Sequence, residues 1–212
     1  MNRVTKKESS EARYSANEII KYLHNELSNK YTFTQRIVGS AVYNTIIRDK
    51  DGYFDVDYQL LLTSNSPEYK KNGLKHATNI KNDFFNCINE VFKNNKNFRV
   101  ENSTTAITLI NLAYKYSIDF VIIRLFPENN EIIRRNNKAN SSKNEYTWNP
   151  LRKFNDAYKK FHNLSNEDKK YLIENKVLPR KVKEKTKNDN DPTKRSSCEL
   201  FIEEVNNYVA RK

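Results

Sequence analysis

The chain has 212 residues, 37% of them hydrophobic, with 13 Tyr and 11 Phe; this is enough to bury a core in one domain and too apolar for a disordered chain. Its net charge of +12 is uneven: residues 1–133 carry 18 Lys/Arg against 15 Asp/Glu, and residues 134–212 carry 20 against 11. The back portion therefore suits polyanions, namely nucleoside triphosphates, an oligonucleotide or an anionic membrane surface, unless it is simply a solvated basic loop.

Cys87 and Cys198 lie outside any CxxC spacing, which excludes a disulfide scaffold and a thiolate zinc site. No apolar run reaches the roughly 20 residues of a membrane span, and residues 1–10 lack a signal-peptide apolar region. A cytoplasmic protein, not membrane-embedded, is expected; few Gly and many Lys, Asn and Ile suggest a bacterial or phage genome.

In chain order, residues 1–13 read as polar and loose. Ser15 to Glu18 is a capping-box pattern, and Ile19, Ile20, Leu23 and Leu27 follow at helical spacing. Phe33 to Val38 alternates as a short strand. After a second strand, the one carrying Asp55 and Asp57, Ser64 to Asn72 reads as a loop. Ala77, Ile80, Phe84, Ile88 and Val91 mark an amphipathic helix within 73–94, with His76 at its exposed start. Strands are expected over 98–101, 104–112 and 117–126. Glu131 to Asn144, with Arg134, Arg135, Lys138 and Lys143, reads as a basic loop.

Asn149-Pro150 reads as the start of a helix with Leu151, Phe154, Tyr158 and Phe161 on its apolar stripe. Trp148, just before it, is expected to pack on the sheet. Ser165 caps a helix carrying Tyr171 to Ile173, residues 180–195 form a charged linker, and 197–209 form a last helix. The domain reading is a loose 1–13, a catalytic domain over 14–163 and a basic helical region over 164–212.

The chemistry concentrates in Val38 to Thr63. Strand alternation puts Asp55 and Asp57 on one face and Val56, Tyr58, Leu60 and Leu62 on the other. Two neighbouring carboxylates repel, so a divalent cation is their natural companion. Gly39 lets the backbone approach an anion closely, and Ala41 to Ile47 is expected to begin a helix whose free N–H groups point at it. Asp119, alone in the apolar run SIDFVIIRLF, needs a cation, a hydrogen-bond network or an ion pair with Arg99 or Arg124.

Gly39-Ser40, four residues, Thr45 and then Asp55-Val56-Asp57 resembles the G-S-x-x-x-x-T … D-x-D signature of the nucleotidyltransferase superfamily that holds oligoadenylate synthetases, cGAS and bacterial CD-NTases. Asn44 stands where members often have Gly. The resemblance implies an α/β (α+β) domain of polymerase-β-like type, with a mixed, mostly antiparallel sheet and a short helical C-terminal region. It implies a third acid, Asp119, completing a triad with Asp55 and Asp57 for two Mg²⁺ ions. Gly39 and Ser40 would grip the triphosphate, and Thr45 would brace their turn. Lys194 to Glu199 only approximates the KSxxxE helix of larger members.

The outline is similar to the minimal nucleotidyltransferases of Hailong anti-phage defence. That likeness implies template-free synthesis of single-stranded DNA oligomers from deoxynucleoside triphosphates, priming on a tyrosine such as Tyr208, and an effector protein that senses the oligonucleotide product. Tyr208 also falls on the apolar face of the last helix, where simple packing explains it. Other readings stay open: linear or cyclic messengers made from nucleoside triphosphates, transfer of one nucleotide to a protein or RNA, and a non-catalytic nucleic-acid binder.

Overall fold

A computed structural model of the chain describes residues 2–126, 129–136, 145–151, 155–187 and 191–212. They divide into two compact units, one within 6–38 and 55–151, the other within 1–5, 39–54 and 152–212.

The first unit is a sheet with helices. Helix α1 (Lys6–Leu27) leads into β1 (Phe33–Val38), which pairs antiparallel with β2 (Phe54–Leu62). Two helices follow, α2 (Pro67–Asn72) and α3 (Ala77–Phe92), and then β3 (Phe98–Asn102), β4 (Ala106–Asn111) and β5 (Tyr116–Arg124). The sheet order is β1-β2-β5-β4-β3, extended by β6 (Glu131–Arg135) on β5 and β7 (Tyr146–Pro150) on β6. The pairs β3–β4, β4–β5, β5–β6 and β6–β7 are all antiparallel. This is the expected α/β architecture with a mostly antiparallel sheet. The core joins Ile20 and Leu23 of α1, Ile80, Phe84 and Ile88 of α3, and the alternate residues Val56, Leu60, Ile118, Phe120 and Ile122 of β2 and β5.

Four expectations for this unit need correction. Helix α1 starts at Lys6, because buried Ser9, Ala12 and Ala16 carry its stripe two turns further than the large apolar residues suggest. Residues 67–72 are helical, opened by Pro67 and closed by left-handed Gly73 (φ 66°), whose N–H donates to the Tyr69 carbonyl at 2.7 Å. Residues 131–135 form β6, since Ile132 and Ile133 bury between polar flanks. Tyr146–Pro150 is a strand paired along β6, so the Asn149-Pro150 helix start is displaced to α4 (Asn155–His162). Lys138, Lys143 and Phe154 lie outside the described residues. Trp148 packs as expected: its indole donates to the Leu74 carbonyl at 2.7 Å and Arg124 lies over its ring.

The second unit is helical. Helix α4, α5 (Asn166–Leu172), a π turn (Ile173–Val177), α6 (Leu178–Lys185) and α7 (Ser197–Val209) surround Phe161, Leu172, Val177, Phe201 and Val205. The charged linker expected from residue 180 therefore begins as helix. Ser196 and Glu199 form a reciprocal capping box that fixes the start of α7, which accounts for Glu199 without a ligand. Residues 2–5 are not wholly loose: Val4 is buried and donates its N–H to the Ile46 carbonyl at 3.0 Å.

Phe84, fully buried with its ring 5.4 Å from Tyr31 and 5.3 Å from Phe33, anchors α3 to the sheet. Phe84→Ala should cost about 3–5 kcal/mol in urea unfolding, and a loss below about 1 kcal/mol would contradict this packing.

Candidate active site

Alternation along β2 works as the sequence suggested. Val56, Tyr58, Leu60 and Leu62 are buried, while Asp55 is exposed and Asp57 half-buried on the opposite face. On neighbouring β5, Tyr116, Ile118, Phe120 and Ile122 turn inward, and Ser117 and Asp119 share the other face. The Ser117 hydroxyl donates to Asp55 Oδ1 at 2.5 Å, tying the two strands together on the acidic side. Asp119 pairs in register with Thr108 of β4, whose hydroxyl donates to Asp119 Oδ1 at 2.6 Å.

Neither arginine considered as a partner for Asp119 is available to it. Arg99 pairs with Glu101 at 2.8 Å and Arg124 with Glu131 at 2.5 Å. Burial raises the Asp119 pKa above the usual carboxylate range; the Asp55 charge adds to the rise, while Thr108 and Lys81 oppose it. A carboxylate destabilised by burial and a like charge is relieved by a cation. The donors are all oxygen, carboxylates backed by hydroxyls, a set that suits Mg²⁺. Among the described residues, no three Asp, Glu, His or Cys side chains already close on a common metal position.

Lys81 of α3 is fully buried in the same unit. Its ammonium donates to the Thr105 carbonyl at 2.6 Å and lies over the Tyr146 ring. Burial first, and the Arg135 charge second, lower its pKa to about 7.

In the helical unit, Gly39 takes a left-handed φ of 66°, and residues 39–41 form a single 3₁₀ turn. The helix expected over 41–47 does not form. Asn44 is also left-handed (φ 52°), and the β-branched run Thr45-Ile46-Ile47 continues extended, with Ile47 bridged to Arg3. Thr45 is buried and its N–H donates to the Ser40 carbonyl at 2.9 Å, so it braces the turn. The same turn holds a residue the sequence did not single out. Lys181 of α6, only 3% exposed, donates to Ser40 Oγ at 2.7 Å, to the Thr45 carbonyl at 2.7 Å and to Thr45 Oγ1 at 3.3 Å. It was hidden inside a lysine-rich run that reads as solvated linker. Ser117 left a fainter signal, a hydroxyl two residues before Asp119 in an apolar strand.

Tyr208, in α7, is half-buried against the helical core, and its hydroxyl donates to Asp168 Oδ1 at 2.6 Å. That bond raises its pKa to about 12.

No protein-family profile and no curated protein matches the sequence. Solved structures do. The c-di-GMP synthase CdnE of Capnocytophaga granulosa, described as STING-associated, superposes with a TM-score of 0.65 at 17% identity, over 97% of this chain and 61% of that one. The cyclic AMP-GMP synthase DncV of Vibrio cholerae, in complex with nonhydrolyzable GTP, gives 0.63 at 15% identity, over 98% and 54%. Escherichia coli DncV in its 3'-deoxy GTP bound form gives 0.60 at 13% identity, over 98% and 54%. The chain has the fold of these CD-NTases, the polymerase-β-like nucleotidyltransferase fold, and spans a little over half their length.

The Lys81 environment sets a pH dependence. Between about pH 7 and 10 the unfolded chain binds a proton on this lysine that the folded chain has released. Stability should therefore rise with pH across that window, by on the order of a few kcal/mol. Lys81→Met should flatten the rise in urea midpoints, and the same rise in both proteins would contradict it.

Proposed function

We propose that the chain is a nucleotidyltransferase that polymerises nucleotides from nucleoside or deoxynucleoside triphosphates without a template. The observation that carries the reading is the acidic face of β2 and β5, with Asp55, Asp57 and Asp119 on adjacent strands of a fold shared with cyclic-dinucleotide synthases.

Asp55, Asp57 and Asp119 would hold two Mg²⁺ ions. Bound there, the ions supply charge neutralisation at the α-phosphate and at the departing pyrophosphate. The remaining work falls to this chain's own groups. Ser117 and Thr108 each fix one carboxylate oxygen, Oδ1 of Asp55 and Oδ1 of Asp119. Asp119, its pKa raised chiefly by burial, would take the proton of the attacking hydroxyl. The turn at Gly39 and Ser40 would hold the β- and γ-phosphates, with Thr45 bracing it. The Lys181 ammonium, anchored to Ser40 and Thr45, brings a fixed positive charge to that turn.

Two products are consistent with this machinery. Single-stranded DNA oligomers in anti-phage defence, primed on Tyr208 and sensed by an effector protein, follow from the likeness to minimal nucleotidyltransferases. In the structure the Tyr208 hydroxyl donates to Asp168, a bond that raises the tyrosine's pKa and would have to be released before its oxygen could act as a nucleophile. A linear or cyclic oligonucleotide messenger is favoured instead by the structural neighbours, which are cyclic-dinucleotide synthases.

Purified protein given Mg²⁺ and each labelled NTP and dNTP should build products longer than one nucleotide. Asp57→Asn should reduce incorporation at least about a hundredfold, the scale for a group acting on transition-state charge, with circular dichroism and melting unchanged. Incorporation retained by that variant would sink the reading. For the primer, a protease-sensitive ladder abolished by Tyr208→Phe is expected, whereas free products that survive Tyr208→Phe would move the assignment to a messenger synthetase.

A further inference from the structure

The helical unit carries a second feature, which shares only Tyr208 and its partner Asp168 with the proposed catalysis. A cavity of about 410 Å³ opens between α5, the π turn and α7. Tyr171 and Tyr208 form its aromatic walls, with ring centroids 6.0 Å apart and planes 40° from parallel. Tyr171 leaves 47% of its surface exposed, unlike Phe161 and Phe201 of the same unit, which are buried. A large apolar ring in water beside a cavity is a surface for something flat.

Charge around the rings is positive. Lys176 lies over the Tyr171 ring at 5.9 Å and Lys212 over the Tyr208 ring at 5.6 Å, and Arg211 lines the same cavity. Both nearby carboxylates are matched internally: Glu204 accepts from Arg180 at 2.5 Å, and Asp168 accepts from Lys212 at 2.5 Å. Lys176 and Arg211 therefore add to the balance, and the Asn207 amide supplies a donor and an acceptor. The Tyr208 wall is held in place by its own hydrogen bonds. Asp168 receives the Tyr208 and Ser165 hydroxyls as well as Lys212, which pins the Tyr208 ring. The π turn widens the helix where Lys176 projects.

Rings for stacking, cations for phosphate and one amide match a single chemistry, a nucleobase carrying a phosphate. We infer that this cavity binds one nucleotide unit of a single strand, the base stacking on Tyr171 and its phosphate lying on Lys176 and Arg211. The assignment goes beyond the proposed catalysis and does not depend on it, because it concerns binding by the helical unit alone.

The test is fluorescence anisotropy of a labelled oligothymidylate with the full chain, repeated on Asp57→Asn so that binding is read apart from incorporation. Tyr171→Ala, at an exposed position, should weaken binding about tenfold, the equivalent of one stacked base. It should leave binding of inorganic polyphosphate, a charge-only probe, unchanged. Lys176→Ala with Arg211→Ala should lower the slope of log affinity against log salt by about 0.7, the one phosphate that the pair neutralises on a single strand. Competition by thymidine triphosphate at equal concentration would identify a free nucleotide as the ligand, and competition only by unlabelled strand would identify a strand unit. Tyr171→Ala binding the strand as tightly as the unaltered chain, or duplex DNA binding as tightly as the single strand, would overturn the assignment. If Asp57→Asn loses incorporation but still binds, the two proposals separate.

Discussion

Everything on the acidic side of the sheet depends on the two-residue alternation of β2 and β5. Each strand seals one face into the core with Val56, Tyr58 and Leu60 or with Ile118, Phe120 and Ile122. A one-residue slip of either strand would exchange faces, bringing Asp55 and Asp57, or Asp119, into that core and costing several kcal/mol for each unpaired charge. Register is thus held by the same burial that gathers the carboxylates outside. The hydroxyls of Ser117 and Thr108 then fix oxygens one at a time, so the neighbouring strands hold the carboxylates through their side chains.

Two buried lysines show how differently the two units handle positive charge. Lys81 meets one carbonyl and an aromatic face beside Arg135, and its proton is weakly held. Lys181 meets three oxygens from Ser40 and Thr45 around a left-handed glycine turn. The first arrangement has an amine close to neutrality inside the sheet unit. The second is a cation satisfied by its surroundings, and its position tells α6 where to sit against residues 40–45. The helical unit thus has α6 tied to the Gly-Ser turn.

Its remaining surface follows the same economy. Tyr43, Tyr158, Phe161 and Phe201 pack into one aromatic cluster through stacked and edge-on contacts, which takes Tyr158, Phe161 and Phe201 out of the set of rings that the basic stretch could offer to nucleic acid. Tyr171 stands apart from it, exposed and beside lysines. That contrast distinguishes rings that build the core from a ring that meets solvent, although Tyr158, Phe161, Tyr171 and Phe201 all lie on helices.

Period and residue type alone determined much of this protein. Alternation located β2 and β5 and the faces of Asp55, Asp57 and Asp119; three- and four-residue steps located α3; and the pattern over 197–209 located α7, because these elements bury large apolar side chains at regular intervals. Tertiary structure decided what regularity does not encode. It extended α1 over the small residues Ser9, Ala12 and Ala16, made strands of 131–135 and 146–150 by pairing them with each other, and turned 41–47 away from helix. It also separated Lys181 from the charges around it. A lysine's role depends on whether oxygens from distant parts of the chain surround it, and contacts across more than a hundred residues leave no local trace.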